Sequence, residues 1–148
     1  MNRPVALVTG ASRGIGRAVA QALSPTHHVL VGGRDADQVG EVVRSLASAE
    51  PFVVDLTDEP AVTAALAGVE RMDVLVHSAG LVAFGSLADS TTREWRELLE
   101  VNVIAPVTLT RLLLPALRTA HGLVVFINSG AGLTTHRGFS AYSASKYA

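Results

Sequence analysis

The chain has 148 residues and a formal net charge of -1; it is 49% hydrophobic and 17% charged, with 13 Gly, 6 Pro and no Cys. These proportions fit one soluble globular domain and exclude a disordered chain, a disulfide scaffold and zinc–thiolate sites. Twelve Lys plus Arg against thirteen Asp plus Glu leave no basic excess for neutralising a phosphate backbone, so nucleic acid is not an expected partner.

Short β-branched runs alternate with longer Ala/Leu-rich stretches from end to end, the pattern of successive βα units. In chain order, strands are expected at residues 5–9, 29–32, 52–55, 74–77 and 123–128, and helices at 15–23, 37–47, 58–67 and 92–119. Thr57 with Asp58, and Ser90 with Thr91, stand where helix caps are wanted. The strand runs are nearly continuous in apolar residues, which predicts parallel strands covered on both faces. Right-handed crossovers then place ligands at the carboxyl ends of the strands. Uncharged stretches such as residues 74–88 are broken by Gly, Ser or His, and the chain opens MNRP before a short apolar run. Neither a membrane span nor a signal peptide is expected, and a cysteine-free, untargeted chain suits the cytoplasm.

The first strand runs into Thr9-Gly10-Ala11-Ser12-Arg13-Gly14-Ile15-Gly16 and then into a helical stretch. A strand, a glycine-rich turn and a helix N-terminus in that order make a phosphate site, because backbone N–H groups and the helix dipole face the anion. The second strand ends in Gly33-Arg34-Asp35. A ribose 2′-phosphate needs a cation at this place, whereas an unphosphorylated ribose wants a carboxylate. Arg34 and Arg13 supply two guanidinium forks, and Asp35 comes too late in the strand and leads into the next helix. NADP(H) is therefore expected ahead of NAD(H).

Eleven of the twelve basic residues are Arg, and the only lysine, Lys146, stands four residues after Tyr142. On a helix that spacing puts phenol and ammonium on one face. An ammonium about 5 Å from the phenol, at an effective dielectric of 20, contributes about 3 kcal/mol, or roughly two pKa units, toward ionising it. Pro106 lies four residues after Asn102 and cannot donate to the Asn102 carbonyl. That leaves either an acceptor for a bound water or a kink satisfied by ordinary solvent.

With these residues in order, the chain resembles the short-chain dehydrogenases/reductases, specifically the subfamily with TGxxxGxG followed by YxxxK. The resemblance runs through TGASRGIG at 9–16, VDLTD with Asp55, HSAG at 77–80, Asn102, INSGAG with Ser129, and finally Tyr142 and Lys146. It implies a doubly wound, Rossmann-like α/β sheet with five visible strands in the order 3-2-1-4-5. The catalytic residues it implies are Asn102, Ser129, Tyr142 and Lys146: Ser129 bonding the substrate oxygen, Tyr142 exchanging the hydroxyl proton, Lys146 holding the nicotinamide ribose and lowering the phenol pKa, Asn102 anchoring a relay water. The implied cofactor contacts are Gly10, Ser12, Arg13, Gly14, Ile15, Gly16, Arg34, Asp55, Leu56, Ser78, Ala79 and Gly80, with Tyr142 and Lys146. No metal is implied. The family usually has two asparagines where this chain has His77 and Ser78, and His77 reads as a structural strand-end residue. His27, His28, His121 and His136 show no metal-like spacing, and Trp95 reads as packing.

The expected activity is hydride transfer between NADPH and a small carbonyl or secondary alcohol substrate. Two other classes are compatible with the motifs: a dinucleotide-binding sensor or scaffold without chemistry, and an epimerase or dehydratase relative. The resemblance implies that residues 1–148 form the dinucleotide-binding domain, with the substrate-binding part in further βα units, on the order of 60–100 residues, absent from this sequence. The apolar circumference of the 92–119 helix predicts a homodimer or homotetramer.

Overall fold

The computed structural model describes residues 3–135 and 137–148; Met1, Asn2 and His136 lie outside the described residues. The elements are β1 (Val5–Val8), α1 (Gly14–Leu23), β2 (His28–Gly33), α2 (Ala36–Arg44), β3 (Ala49–Val53), α3 (Glu59–Ala65), β4 (Val74–His77), α4 (Thr92–Leu99), a π-helical turn (Glu100–Ile104), α5 (Ala105–Ala120), β5 (Leu123–Phe126), a 3-10 turn (Gly130–Gly132) and α6 (Ser140–Tyr147). The five strands form one parallel sheet in the order β3-β2-β1-β4-β5, the doubly wound Rossmann-like arrangement.

Alternate residues of the central strands enter two cores. Leu7, Leu30 and Leu75 face Val62 of α3 and Leu109, Leu113 and Leu117 of α5. Val8, Val29, Val31 and Val76 face Ala20 of α1 and Val39 and Val42 of α2. A strand buried on both faces has no polar side to show, which is why β1 is continuously apolar and β2 and β4 depart from it only at His28 and His77, at their ends. Each fully buried Leu or Val contributes about 1.5–3 kcal/mol.

Besides the ends of α2, at Arg44 and not 47, and of β5, at Phe126 and not 128, two expectations require correction. The third strand is Ala49–Val53, not 52–55, and it is mostly exposed. Its register pairs Pro51 with Val31 and Val53 with Gly33, so the backbone ladder runs through Glu50 and Pro51, tolerable because this is an edge strand. The single long helix is in fact two helices joined by the π turn, where Ala105 N–H reaches back five residues to the Glu100 carbonyl. Pro106 at the start of α5 has no N–H, and its ring would strike the carbonyl four residues earlier in regular α geometry; widening the preceding turn avoids that clash. The run Thr92–Ala120 is long and apolar enough to cross a membrane. Its Leu109, Leu113, Ala116 and Leu117 are buried against the sheet, whereas Leu99, Ile104, Val107 and Leu114 are exposed.

Candidate active site

The carboxyl ends of β1, β2 and β4 open onto a cleft of about 630 Å³. Twelve of the residues expected to touch a cofactor line it: Gly10, Ser12, Arg13, Gly14, Ile15, Gly16, Arg34, Asp55, Leu56, Ser78, Ala79 and Gly80. The glycine turn is shaped by two contacts. At Gly10, with φ +62°, a Cβ would lie 2.7 Å from the Ala79 Cα, and at Gly16 a Cβ would collide with the Gly10 carbonyl oxygen. Only a chain without side chains at these points lets β1, α1 and the end of β4 meet.

Helix α1 differs from the next three at its N-terminus. Asp35 caps α2, Asp58 caps α3, and Thr91 forms a capping box with Glu94 on α4. The N-cap of α1 is Arg13, which makes no side-chain cap bond, and the first turn holds no acidic residue. Uncapped N–H groups, the positive end of the helix dipole and a guanidinium thus converge on one side of the cleft, an arrangement that suits an anion. Asp55 also lines the cleft, and its carboxylate accepts from Thr57 N–H (2.9 Å) and the Thr57 hydroxyl (2.8 Å). Those bonds hold its pKa below the ordinary value, with Arg34 adding a smaller electrostatic pull. Asp35 is fully engaged: one oxygen accepts from Asp37 N–H and Gln38 N–H, the other from the Gln38 side chain.

Next to the cleft lies a second hollow of about 400 Å³, lined by Asn102, Lys146, His77, Pro106, Phe126 and others. The two share Ala79 and Ile127. A Cβ on Gly80 would lie 3.4 Å from Asn102 Oδ1 and 3.7 Å from Lys146 Nζ, so both side chains stand at the partition. Lys146 Nζ donates to the Ile127 carbonyl at 3.3 Å. Asn102 Nδ2 donates to the Leu81 carbonyl (2.8 Å) and Ser145 Oγ (2.9 Å), and its Oδ1 accepts from Leu81 N–H (2.8 Å). Asn102 therefore fastens the loop after β4 to α6 through its amide. Ser129 and Tyr142 line neither hollow. Ser129 Oγ accepts from Ala131 N–H at 3.2 Å and caps the 3-10 turn, which packs against α6 where a Cβ on Gly132 would strike the Lys146 carbonyl. Tyr142 is half-buried on α6, its ring centroid 6.1 Å from that of Phe139.

His77 is buried, as a structural histidine should be. Its Nε2 pairs with Thr110 Oγ1 at 2.8 Å and its ring stacks on Phe126 at 4.7 Å. Burial pushes its pKa down to about 4. Trp95 donates to Ser90 Oγ at 2.9 Å, a packing bond at the start of α4. Two hydroxyls passed over in the sequence hold the site together. Thr9 Oγ1 accepts from both Ser78 N–H and Ala79 N–H at 3.1 Å, and Ser145 Oγ joins Asn102 to the Tyr142 carbonyl. For Thr9 there was a signal, a polar residue closing an apolar strand just before the glycine turn; for Ser145 there was none.

The family model described as short chain dehydrogenase matches residues 4–148. An uncharacterised short-chain type dehydrogenase/reductase of Sinorhizobium fredii is 40% identical across 100% of this chain and 60% of its own length. The trans-4-hydroxycyclohexanecarboxylate dehydrogenase of Sinomonas cyclohexanicum is 34% identical across 97% of this chain and 61% of its own. A crystal structure of a metagenomic short-chain oxidoreductase in complex with NADP superposes with a TM-score of 0.91 at 38% identity, covering 99% of this chain and 71% of that one. The chain thus spans about three-fifths of the length of these two curated relatives. Family match, relatives, sheet order and glycine turn agree: this chain belongs to the short-chain dehydrogenase family.

Proposed function

We propose that this chain carries the cofactor-binding and catalytic residues of an NADP-dependent oxidoreductase that interconverts a carbonyl compound and a secondary alcohol. The observation that carries the reading is the juxtaposition of the anion-ready cleft with the Asn102–Lys146 partition beside Gly80. Support for NADP over NAD comes from Arg13 and Arg34 lining the cleft, while Asp35, the carboxylate nearest in sequence, is committed to capping α2. Among the described residues, no group of three His, Cys, Asp or Glu converges as a metal site.

Gly10–Gly16, Arg34, Asp55 and Ser78–Gly80 would hold NADP(H), which would supply or take up the hydride. The protein's part is proton handling and positioning. The Tyr142 phenol gives its proton to the substrate oxygen in reduction and takes it back in oxidation. Ser129 Oγ, which accepts from Ala131 N–H, keeps its own hydrogen to donate to that oxygen. Lys146 binds the Ile127 carbonyl through one N–H and has two more to offer the ribose and the phenol. Asn102 fixes the position of α6 through Ser145, and water resting near it would return protons to Lys146.

The reading includes a cytoplasmic enzyme that assembles as a homodimer or homotetramer. Leu99, Ile104, Val107 and Leu114 along α4–α5 are exposed and offer an apolar face; a monomer by light scattering would count against that assembly. The central test is Tyr142→Phe in the full natural chain. NADPH affinity should stay within about twofold while turnover of a ketone falls by a hundredfold or more. Unchanged turnover overturns the mechanism.

A further inference from the structure

Two aromatic rings beside Tyr142 have no part in the mechanism above. Phe84, in the loop after β4, meets Phe139 edge to face, with centroids 5.0 Å apart and planes at 68°. Phe139 in turn contacts the Tyr142 ring at 6.1 Å. Backbone bonds hold this row in place: Gly85 N–H donates to the Gly138 carbonyl at 2.8 Å, Gly85 bridges Phe139, and the Phe139 carbonyl accepts Ser143 N–H at 2.7 Å on the first turn of α6. Any shift of α6 that moves Tyr142 therefore moves the aromatic pair with it.

Phe84 is nevertheless 74% exposed, with Val82 and Leu87 exposed on the same loop and Leu133 exposed beyond the 3-10 turn. A ring held this firmly and left in water is a surface awaiting an apolar group. The chemistry of the surroundings narrows what that group is. No Asp, Glu, Lys or Arg occurs between Asp73 and Asp89, nor between Arg118 and Arg137. The loop hydroxyls are already committed, Ser86 to Asp89 and Ser90 to the Leu87 carbonyl. Along residues 74–88 an anionic substituent would find no cation; the nearest in sequence to the aromatic pair is the exposed Arg137, two residues before Phe139.

We propose that Phe84 and Phe139 form an aromatic wall that grips an uncharged hydrocarbon substituent next to the reacting carbon, and that Phe84 is the specificity-determining residue. The proposal rests on Tyr142 marking the reaction centre, as the oxidoreductase reading has it, and names the substrate class of that same site.

The test measures binding instead of turnover, so that the two readings fail separately. Acetamide and hexanamide, carbonyl compounds that the enzyme cannot reduce, are titrated calorimetrically into the full natural chain saturated with NADP. Hexanamide should bind at least about tenfold more tightly, and Phe84→Ala should remove most of that advantage while Phe84→Leu keeps it. Equal affinities, no detectable preference, or a preference that survives Phe84→Ala would overturn the proposal. So would an unchanged preference in a Phe84→Ala protein that has lost an oligomeric contact, because the ring then belongs to a second copy. Tyr142→Phe decides the oxidoreductase reading whichever way the amides bind.

Discussion

The two halves of the site are held by different forces. Around the cleft at the carboxyl ends of the strands, β1, β2 and β4 are buried on both faces, and the turns between strand and helix meet backbone to backbone. Around α6 there is little hydrophobic anchoring: Leu123 and Phe126 of β5 are 60% and 59% exposed, and α6 buries only Ala141, Ser143 and Ser145. An eight-residue helix is marginal alone. It is pinned by separate side-chain bonds, from Asn102 to Ser145, from Lys146 to Ile127 and from Tyr147 to Leu133. The first half resists most substitutions but fails where a Cβ enters a backbone contact. The second can be loosened one bond at a time.

The largest effect is therefore expected in the first half. Gly16→Val places a branched side chain where even a Cβ meets the Gly10 carbonyl, and neither partner is a flexible side chain that can turn away. The variant should lose about 3 kcal/mol of stability in urea denaturation and its NADPH affinity together. Wild-type stability would show that the turn yields, and that backbone contact does not set this half.

His77 joins the halves, reaching from β4 to Thr110 on α5 and Phe126 on β5. Its folded pKa of about 4 lies below the ordinary 6.5, so the unfolded chain binds a proton that the folded chain refuses. Stability from the neutral ring is complete above about pH 6.5 and declines as pH falls toward 4, by about 3 kcal/mol across that window. Denaturation midpoints at pH 7 and pH 4.5 should differ less in His77→Asn than in the natural protein. Parallel pH dependence in the two would mean that the imidazole is not desolvated in solution.

The same division explains what could be read from sequence. Continuous apolar runs located β1, β2 and β4 to within a residue because those strands are apolar on both faces. At β3 the pattern failed: an edge strand takes its limits from pairing with β2, and pairing is blind to whether Glu50 and Pro51 look strand-like. Apolar periodicity also could not separate α4 from α5, since a π turn keeps the apolar stripe nearly continuous; Pro106 was the available mark. Of the site, the glycines and Arg13 could be found because strand, turn and helix N-terminus are contiguous in the chain. Thr9 is marked as a polar residue closing an apolar strand and Ser145 is not marked at all, and neither could be given its partners, which come from segments 69 and 43 residues away and which only the fold brings together.

The smallest expected effect sharpens the comparison most. Asn102→Ala removes three bonds, two to the Leu81 backbone and one to Ser145. The side chain is only partly buried, so water replaces much of what is lost and global stability should fall by just about 1–2 kcal/mol. The loss should be local. Amide protons that hold α6 together, Ser143 N–H on Phe139 and Ala148 N–H on Ala144, should exchange faster with solvent, while those of Leu7 and Leu30 in the central sheet keep their protection relative to the global limit. If protection falls equally in sheet and α6, the two halves unfold as one unit, and Asn102 stabilises the whole fold, not the seat of Tyr142 and Lys146. If only α6 loosens, kcat should fall by more than NADPH affinity, because the glycine turn, Arg34 and Asp55 lie on elements that Asn102 does not anchor, whereas Leu81 and the helix carrying Lys146 are held by it.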